Sequence, residues 1–419
     1  MHAKTFDSGF PEGHDTYNGM AAASDGCIYY VLCSALPDVA ARMFRHDPGS
    51  GAVTCLGDLT SACGEAEQNR ISQGKSHVNF VEHAGKLYFA THTGFYQIID
   101  DMEKMGVPPP GFAPYSGGHL LAYDMASGQF EDLATEPHGD GVLTFNADPV
   151  RGRLYGITWP MGRFFRYDLG KRDWRDFGGF FEGGEHGRGP AFRAICRALA
   201  VDPRDGSVYF TCGEGTILRY DFASESIAPL AGEDLRKDYF GLYDPASPGH
   251  MAYNWRQVVW REQEQVFYGV HGNSGYLFRF DPRVPRVDLI ERLTSLPSRR
   301  SGMFDQFSYG YLGFTLGPDG KTIYYLTGGP AYVDGKRVRG KDSTGKGEAK
   351  GLENLHLVTY DLDAGRYCDH GAIVLENGDP PTYVNSIAVG RDGSVYTLAR
   401  VDTKGGRTDL VRIQPAARI

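Results

Sequence analysis

Seven segments of this 419-residue chain repeat one pattern. The clearest pair is VLTFNADPVRGRLYGITWPMGRFFRYDLGKRDWRDF (142–177) and CRALAVDPRDGSVYFTCGEGTILRYDFASESIAPL (196–230), which align almost without gaps. Each holds an alternating strand, an Asp-Pro turn with Gly, and a second strand centred on Tyr155 or Tyr209. A short loop follows, then a third strand ending in Tyr-Asp (Tyr167-Asp168, Tyr220-Asp221) and a weaker fourth strand. The unit recurs over 20–59, 77–134, 142–180, 196–232, 255–294, 311–373 and 383–415. The second-strand aromatics fall near 30, 88, 155, 209, 268, 325 and 396, spaced 54–71 residues apart.

Period-2 alternation makes each unit a small antiparallel sheet with two faces. One such sheet cannot bury both faces alone, whereas radial stacking buries them and leaves only short edges. The chain is therefore expected to be all-β, a single domain over 1–419. Its blades form a seven-bladed β-propeller of four-stranded antiparallel sheets around a central axis. The first ~18 residues are expected to add a strand to the last blade and close the ring. The 56 Gly, 25 Tyr and 24 Phe suit short strands and tight turns. Only QIIDDMEKMG (97–106) carries a helical period. The Tyr-Asp pairs at 123–124, 167–168, 220–221 and 360–361 repeat, which reads as turn and edge chemistry. Insertions interrupt the units at 98–117, 178–192 and 330–354, and long loops on a regular scaffold often carry function.

The net charge of −9 argues against a nucleic-acid partner, which would require a basic footprint. No apolar run reaches the ~20 residues of a membrane span. The opening MHAKTFDSGFPEGH has no signal-peptide core. The expected placement is periplasmic or secreted with the leader absent from this chain, and a cytoplasmic one stays open. The seven cysteines (27, 33, 55, 63, 196, 212, 368) include no CxxC and read as buried free thiols. Oligomeric state is not legible.

In a propeller the first strands lie nearest the axis. Their starts, together with the loops after the second strands, gather at one end. Aligning the repeats there collects Lys75, His77 and Asn79, Asn146, Arg197, Trp255 and Arg256, and Tyr311. The loops add His92, Trp159 and His271. A ring of His, Arg, Tyr, Asn and Trp suits an anionic, polyhydroxylated ligand. Buried polar groups near an axis must be hydrogen-bonded or hydrated. Arg256 at a strand start can hold a carboxylate bidentately or make an inter-blade salt bridge. Trp159 reads as a sugar-stacking platform or as blade packing. A divalent metal held by His77, His92 or His271 is an open alternative, and no cofactor is otherwise implied. GxSxG, P-loop, GxGxxG and HExxH motifs are absent.

The segment QGKSHVNFVEHAGKLYFATHTG (73–94) resembles the Lys-x-His…Tyr-Phe-x-Thr-His segment of seven-bladed propeller polysaccharide lyases. These are ulvan lyases and rhamnose–glucuronate lyases, and the related rhamnosyl-glucuronate hydrolases share the scaffold. The resemblance implies β-elimination at a uronate, with two histidines, a tyrosine and an arginine at work. His77 and His92 carry over by motif, and Arg256 by its position in the ring. No tyrosine is matched. On this reading Arg256, with His92, neutralises the carboxylate of a uronic-acid glycan. Neutral His77 removes the C5 proton, and a tyrosine or the same histidine protonates the departing O4. The alternatives are a hydrolase at a rhamnose–uronate linkage, with Glu185 and Glu214 as candidate carboxylates, and a non-catalytic glycan- or protein-binding propeller.

Overall fold

The computed structural model describes residues 1–14, 18–99, 102–248, 250–301, 313–330, 332–333, 336–337, 352–381, 384, 386–401 and 407–414. Among the described residues seven blade sheets follow one another along the chain, six of them built from short strands joined in sequence order. Blade 3 is the pattern for the rest. Gly141–Asp148, Arg153–Trp159, Arg163–Asp168 and Asp173–Gly179 pair antiparallel in succession. This is a seven-bladed β-propeller with very little helix. The alternating residues dictate it, because each blade has two apolar faces that only neighbouring blades can cover.

Aromatic rings make those covers. Tyr155 of blade 3 meets Tyr220 of blade 4 edge-on at 5.5 Å between centroids. Phe164 stacks on Phe210 across the same seam at 4.9 Å, and Tyr209 meets Phe280 of blade 5 at 5.3 Å. Tyr155 and Tyr209 are buried as packing residues, while Tyr88 is only half-buried. Each buried ring of this kind contributes about 1.5–3 kcal/mol. The repeated aspartates are turn devices. Asp124, Asp168, Asp221 and Asp361 each accept backbone N–H groups two or three residues ahead, which folds the turn into the fourth strand.

The last blade contains Ala388–Val389, Val395–Arg400 and Thr408–Ile413. Its outer strand is His2–Thr5, antiparallel to the third, with Ala3 opposite Ile413 and Thr5 opposite Val411. Val374–Leu375, leaving blade 6, pairs parallel with the same N-terminal strand.

Two expectations need correcting. The described residues of 97–106 are not helical. Tyr96–Ile99 and Met102–Met105 form a β-hairpin, with Tyr96 opposite Met105. Met102 and Lys104 are buried while Glu103 and Met105 are half-buried, so the segment obeys period 2 and not 3.6. The cysteines are all free, but Cys55 and Cys368 are exposed, because both sit on fourth, outermost strands. Most of the 330–354 insertion lies outside the described residues. Among the described residues no helix is long and apolar enough to cross a membrane.

Candidate functional site

The Lys75–Asn79 stretch enters blade 2 beside the end of that blade's second strand. Lys75 and His92 pair through both backbone bonds, at 2.9 and 2.7 Å. This close approach needs glycine on either side. A Cβ on Gly94 would lie 1.9 Å from the Ser34 carbonyl oxygen. Likewise a Cβ on Gly141 would lie 2.8 Å from the His92 ring, so glycine there lets the imidazole seat against the entry to blade 3.

The result is a packed group of chemically active side chains. The rings of His77 and His92 have centroids 5.7 Å apart. His77 Nδ1 lies 2.8 Å from the Leu143 carbonyl oxygen, and His92 Nδ1 lies 2.8 Å from that of Thr93. A carbonyl can only accept, so both imidazoles carry their proton on Nδ1 when neutral, and Nε2 is the basic nitrogen. Tyr96 Oη donates to Thr93 O at 2.7 Å and sits 3.2 Å from His92 Nδ1. The Lys75 ammonium lies 3.5 Å from Tyr96 Oη. Trp159 packs on His92 at 5.3 Å and meets Tyr96 edge-on at 5.4 Å.

Behind the indole the group continues into a charged pair. Trp159 Nε1 donates to Glu185 Oε2 at 3.0 Å, and Arg197 Nη2 donates to Glu185 Oε1 at 2.5 Å. Lys104 of the hairpin donates to the carbonyls of Glu185, His186 and Gly187 at 2.7, 3.1 and 3.2 Å. The 98–117 and 178–192 insertions are thereby fastened together. His77 and His92 are only 2% and 1% exposed.

The predicted residues divide accordingly. Lys75, His77, His92 and Trp159 come together, and Arg197 joins them through Glu185. Trp159 is 1% exposed, with its faces against His92 and Tyr96, so it packs the site and offers no open platform. Asn79, Asn146 and Arg197 line the axial channel with Gln257 and Asn18. Asn146 also donates to Leu199 O at 2.7 Å. Arg256 is buried three blades away in blade 5, its Nη1 3.1 Å from Met251 Sδ. Trp255 is a core ring, packed on Phe278 and Phe280 with Nε1 bonded to Ala198 O. His271 stacks flat on Phe240 at 4.2 Å, and burial pushes its pKa down to about 3. Tyr311 lies outside the described residues. The His77–His92–His271 metal set is not assembled, because His271 is held in blade 5 by that stack. Among the described residues no group of three or more His, Cys, Asp or Glu side chains could hold a metal ion.

Sequence reasoning missed Tyr96 and Lys104, and it read Glu185 only as a hydrolytic carboxylate. Tyr96 stands four residues after His92 at the foot of an insertion, and that spacing was the one available signal. Also missed were Glu136 and Asp140, buried behind His92 where blade 2 gives way to blade 3. Burial pushes the Glu136 carboxyl up to about 7, with the Asp140 charge adding to it, and burial raises Asp140 as well. Thr158 donates to Asp140 Oδ2 at 2.6 Å.

Fold and site together define a β-propeller with a buried His–His–Tyr–Lys cluster at one end. No protein-family model matches the chain. No curated protein sequence matches it either. Solved structures do. The extracellular domain of a hybrid two-component system from B. thetaiotaomicron is similar over 95% of this chain, at TM-score 0.52 and 12% identity. This chain spans 38% of that protein's length. A Bacteroides uniformis protein titled as a 6-phosphogluconolactonase is similar over 88% of this chain and 90% of its own, at TM-score 0.50 and 12% identity. The β-propeller domain of Myceliophteria thermophila Cps50 (Swd1) covers 97% and 98%, at TM-score 0.51 and 9% identity. At these identities the likeness establishes the fold alone.

Proposed function

We propose that this protein is a carbohydrate-active enzyme that cleaves a uronate-containing glycan by β-elimination at the Lys75–His77–His92–Tyr96 cluster. The observation that carries the reading is the meeting of two Nε2-basic imidazoles, a phenol and an ammonium in one group. Elimination needs a base for the C5 proton, an acid for O4 and a cation for the carboxylate. His77 Nε2 takes the C5 proton, and the C5–H electrons form the C4–C5 double bond. The C4–O4 bond breaks with its electron pair leaving on oxygen, and Tyr96 Oη gives its proton to that oxygen. Lys75 supplies positive charge in place of Arg256, which belongs to another blade. Access requires the Met102–Met105 strand to release the loop that Lys104 holds, with Tyr96 staying on His92.

A hydrolytic role for Glu185 and Glu214 is less favoured, since Arg197 takes the first and Arg193 the second. The test is a screen of uronic-acid glycans, with and without chelator, following ultraviolet absorbance and reducing ends in the same wells. Absorbance from an unsaturated product is expected. His77→Ala and Tyr96→Phe should each lower the rate by about 10²–10⁴-fold. Reducing ends without absorbance would mean hydrolysis, and an unimpaired His77→Ala enzyme would sink the mechanism.

A further inference from the structure

A second cavity, of about 490 Å³, opens beside the connection from blade 1 to blade 2. Its walls hold Arg42, Arg70, Asp38, Asp58, Glu65 and Phe112. The 98–117 insertion closes one side, through Ile71 N to Ala113 O at 3.0 Å and Ala113 N to Asn69 O at 2.9 Å.

The charges here are unequally spent. The carboxylate of Asp58, cross-strand neighbour of Arg42, accepts from the Ser61 N–H at 2.8 Å. Glu65 is turned inward, to His119 at 3.3 Å and Gln73 at 2.9 Å. Neither arginine has an acidic partner among the described residues. Arg42 lies over the Phe10 ring at 4.7 Å. Arg70 Nε is sealed from solvent with no acceptor among the described residues. A buried donor without an acceptor is costly, and most arginines among the described residues are ion-paired. Arg42 and Arg70 both line this cavity, and the arginine side chain is suited to a carboxylate. Asp38 can accept from sugar hydroxyls, and the half-buried Phe112 ring offers an apolar surface to a pyranose.

We infer that this cavity binds an acidic sugar residue through Arg42 and Arg70, as a second subsite for the glycan cleaved at His77. The inference rests on the glycan reading for the class of ligand. It is supported by the cavity's position, since Ser72 in its wall stands three residues before Lys75.

The test uses calorimetric titration of the full chain carrying His77→Ala, so that turnover is slow on the timescale of the titration. The probes are a glucuronate-containing tetrasaccharide, its carboxyl-reduced counterpart and sodium sulfate. Adding Arg42→Gln and Arg70→Gln should weaken binding of the acidic tetrasaccharide at least tenfold. The reduced tetrasaccharide should bind both proteins alike. The Arg42→Lys and Arg70→Lys pair should lie between, keeping charge but losing the planar fork. It decides the matter if the glutamine pair fails to fold by circular dichroism. Equal acidic-tetrasaccharide binding with and without the arginines, no binding by either protein, or binding of sulfate alone would overturn the inference. A tenfold loss in a protein whose wild type makes no unsaturated product would leave this subsite standing and remove the elimination reading. Product formation with equal binding would remove the subsite alone.

Discussion

Glu136 shows how a single residue can report on the candidate site. Its carboxyl sits behind the backbone that carries Gly141 against His92. Oε2 accepts N–H groups from His138 and Asp140, both at 2.8 Å. Burial outweighs those bonds and raises its pKa from 4.5 to about 7. A carboxyl that holds its proton more tightly when folded makes stability fall as pH rises between those two values. Glu136→Gln keeps an oxygen for the N–H groups and removes the titration. The variant should therefore lose less melting temperature than wild type between pH 4.5 and pH 7, measured by thermal denaturation. Parallel curves for the two proteins would show that Glu136 does not titrate in this window. His77, His92 and Lys75 were legible because the repeats align them with one end of the blades. Glu136 and Tyr96 were not, since nothing in an inter-blade joint or an insertion keeps the repeat's register.

At the scale of elements, the 96–105 hairpin belongs to blade 2 but packs beyond it. Met102 clusters with Phe192 and Ala194, and Lys104 spans to three carbonyls of the 184–187 turn. A buried ammonium is tolerated only where hydrogen bonds replace its water. Lys104→Met keeps the stem's apolar bulk and removes those bonds. It should cost about 2–3 kcal/mol and speed hydrogen exchange of amides in 180–192, with the blades beyond it unchanged. Unaltered exchange in that loop would mean the hairpin is held by Met102 alone.

For the whole molecule, the His2–Thr5 strand ties the end of the ring to its beginning. Ala3 is 2% exposed, and Phe6 just after the strand packs on His46 of blade 1 at 4.2 Å. Losing their burial costs about 2–4 kcal/mol. At about 1 °C per kcal/mol for a chain this long, deleting residues 1–6 should lower the melting temperature by about 2–4 °C. Scanning calorimetry of the truncated chain would check this, and an unchanged transition would mean the ring is held by lateral blade packing alone.

The repeat itself determined the fold. Period-2 alternation, second-strand tyrosines and the Asp of each third-to-fourth turn act over a few residues, so each can be read where it stands. The site's make-up was decided by tertiary structure. His92 meets Trp159 of the next blade, Trp159 meets Glu185 in an insertion, and Glu185 meets Arg197 of the blade after that. Arg256 occupies an aligned position too, yet its blade carries it to Met251. A periodic pattern specifies which face of a strand a side chain takes. Which distant side chains share that space depends on blade stacking and on how insertions fold across it.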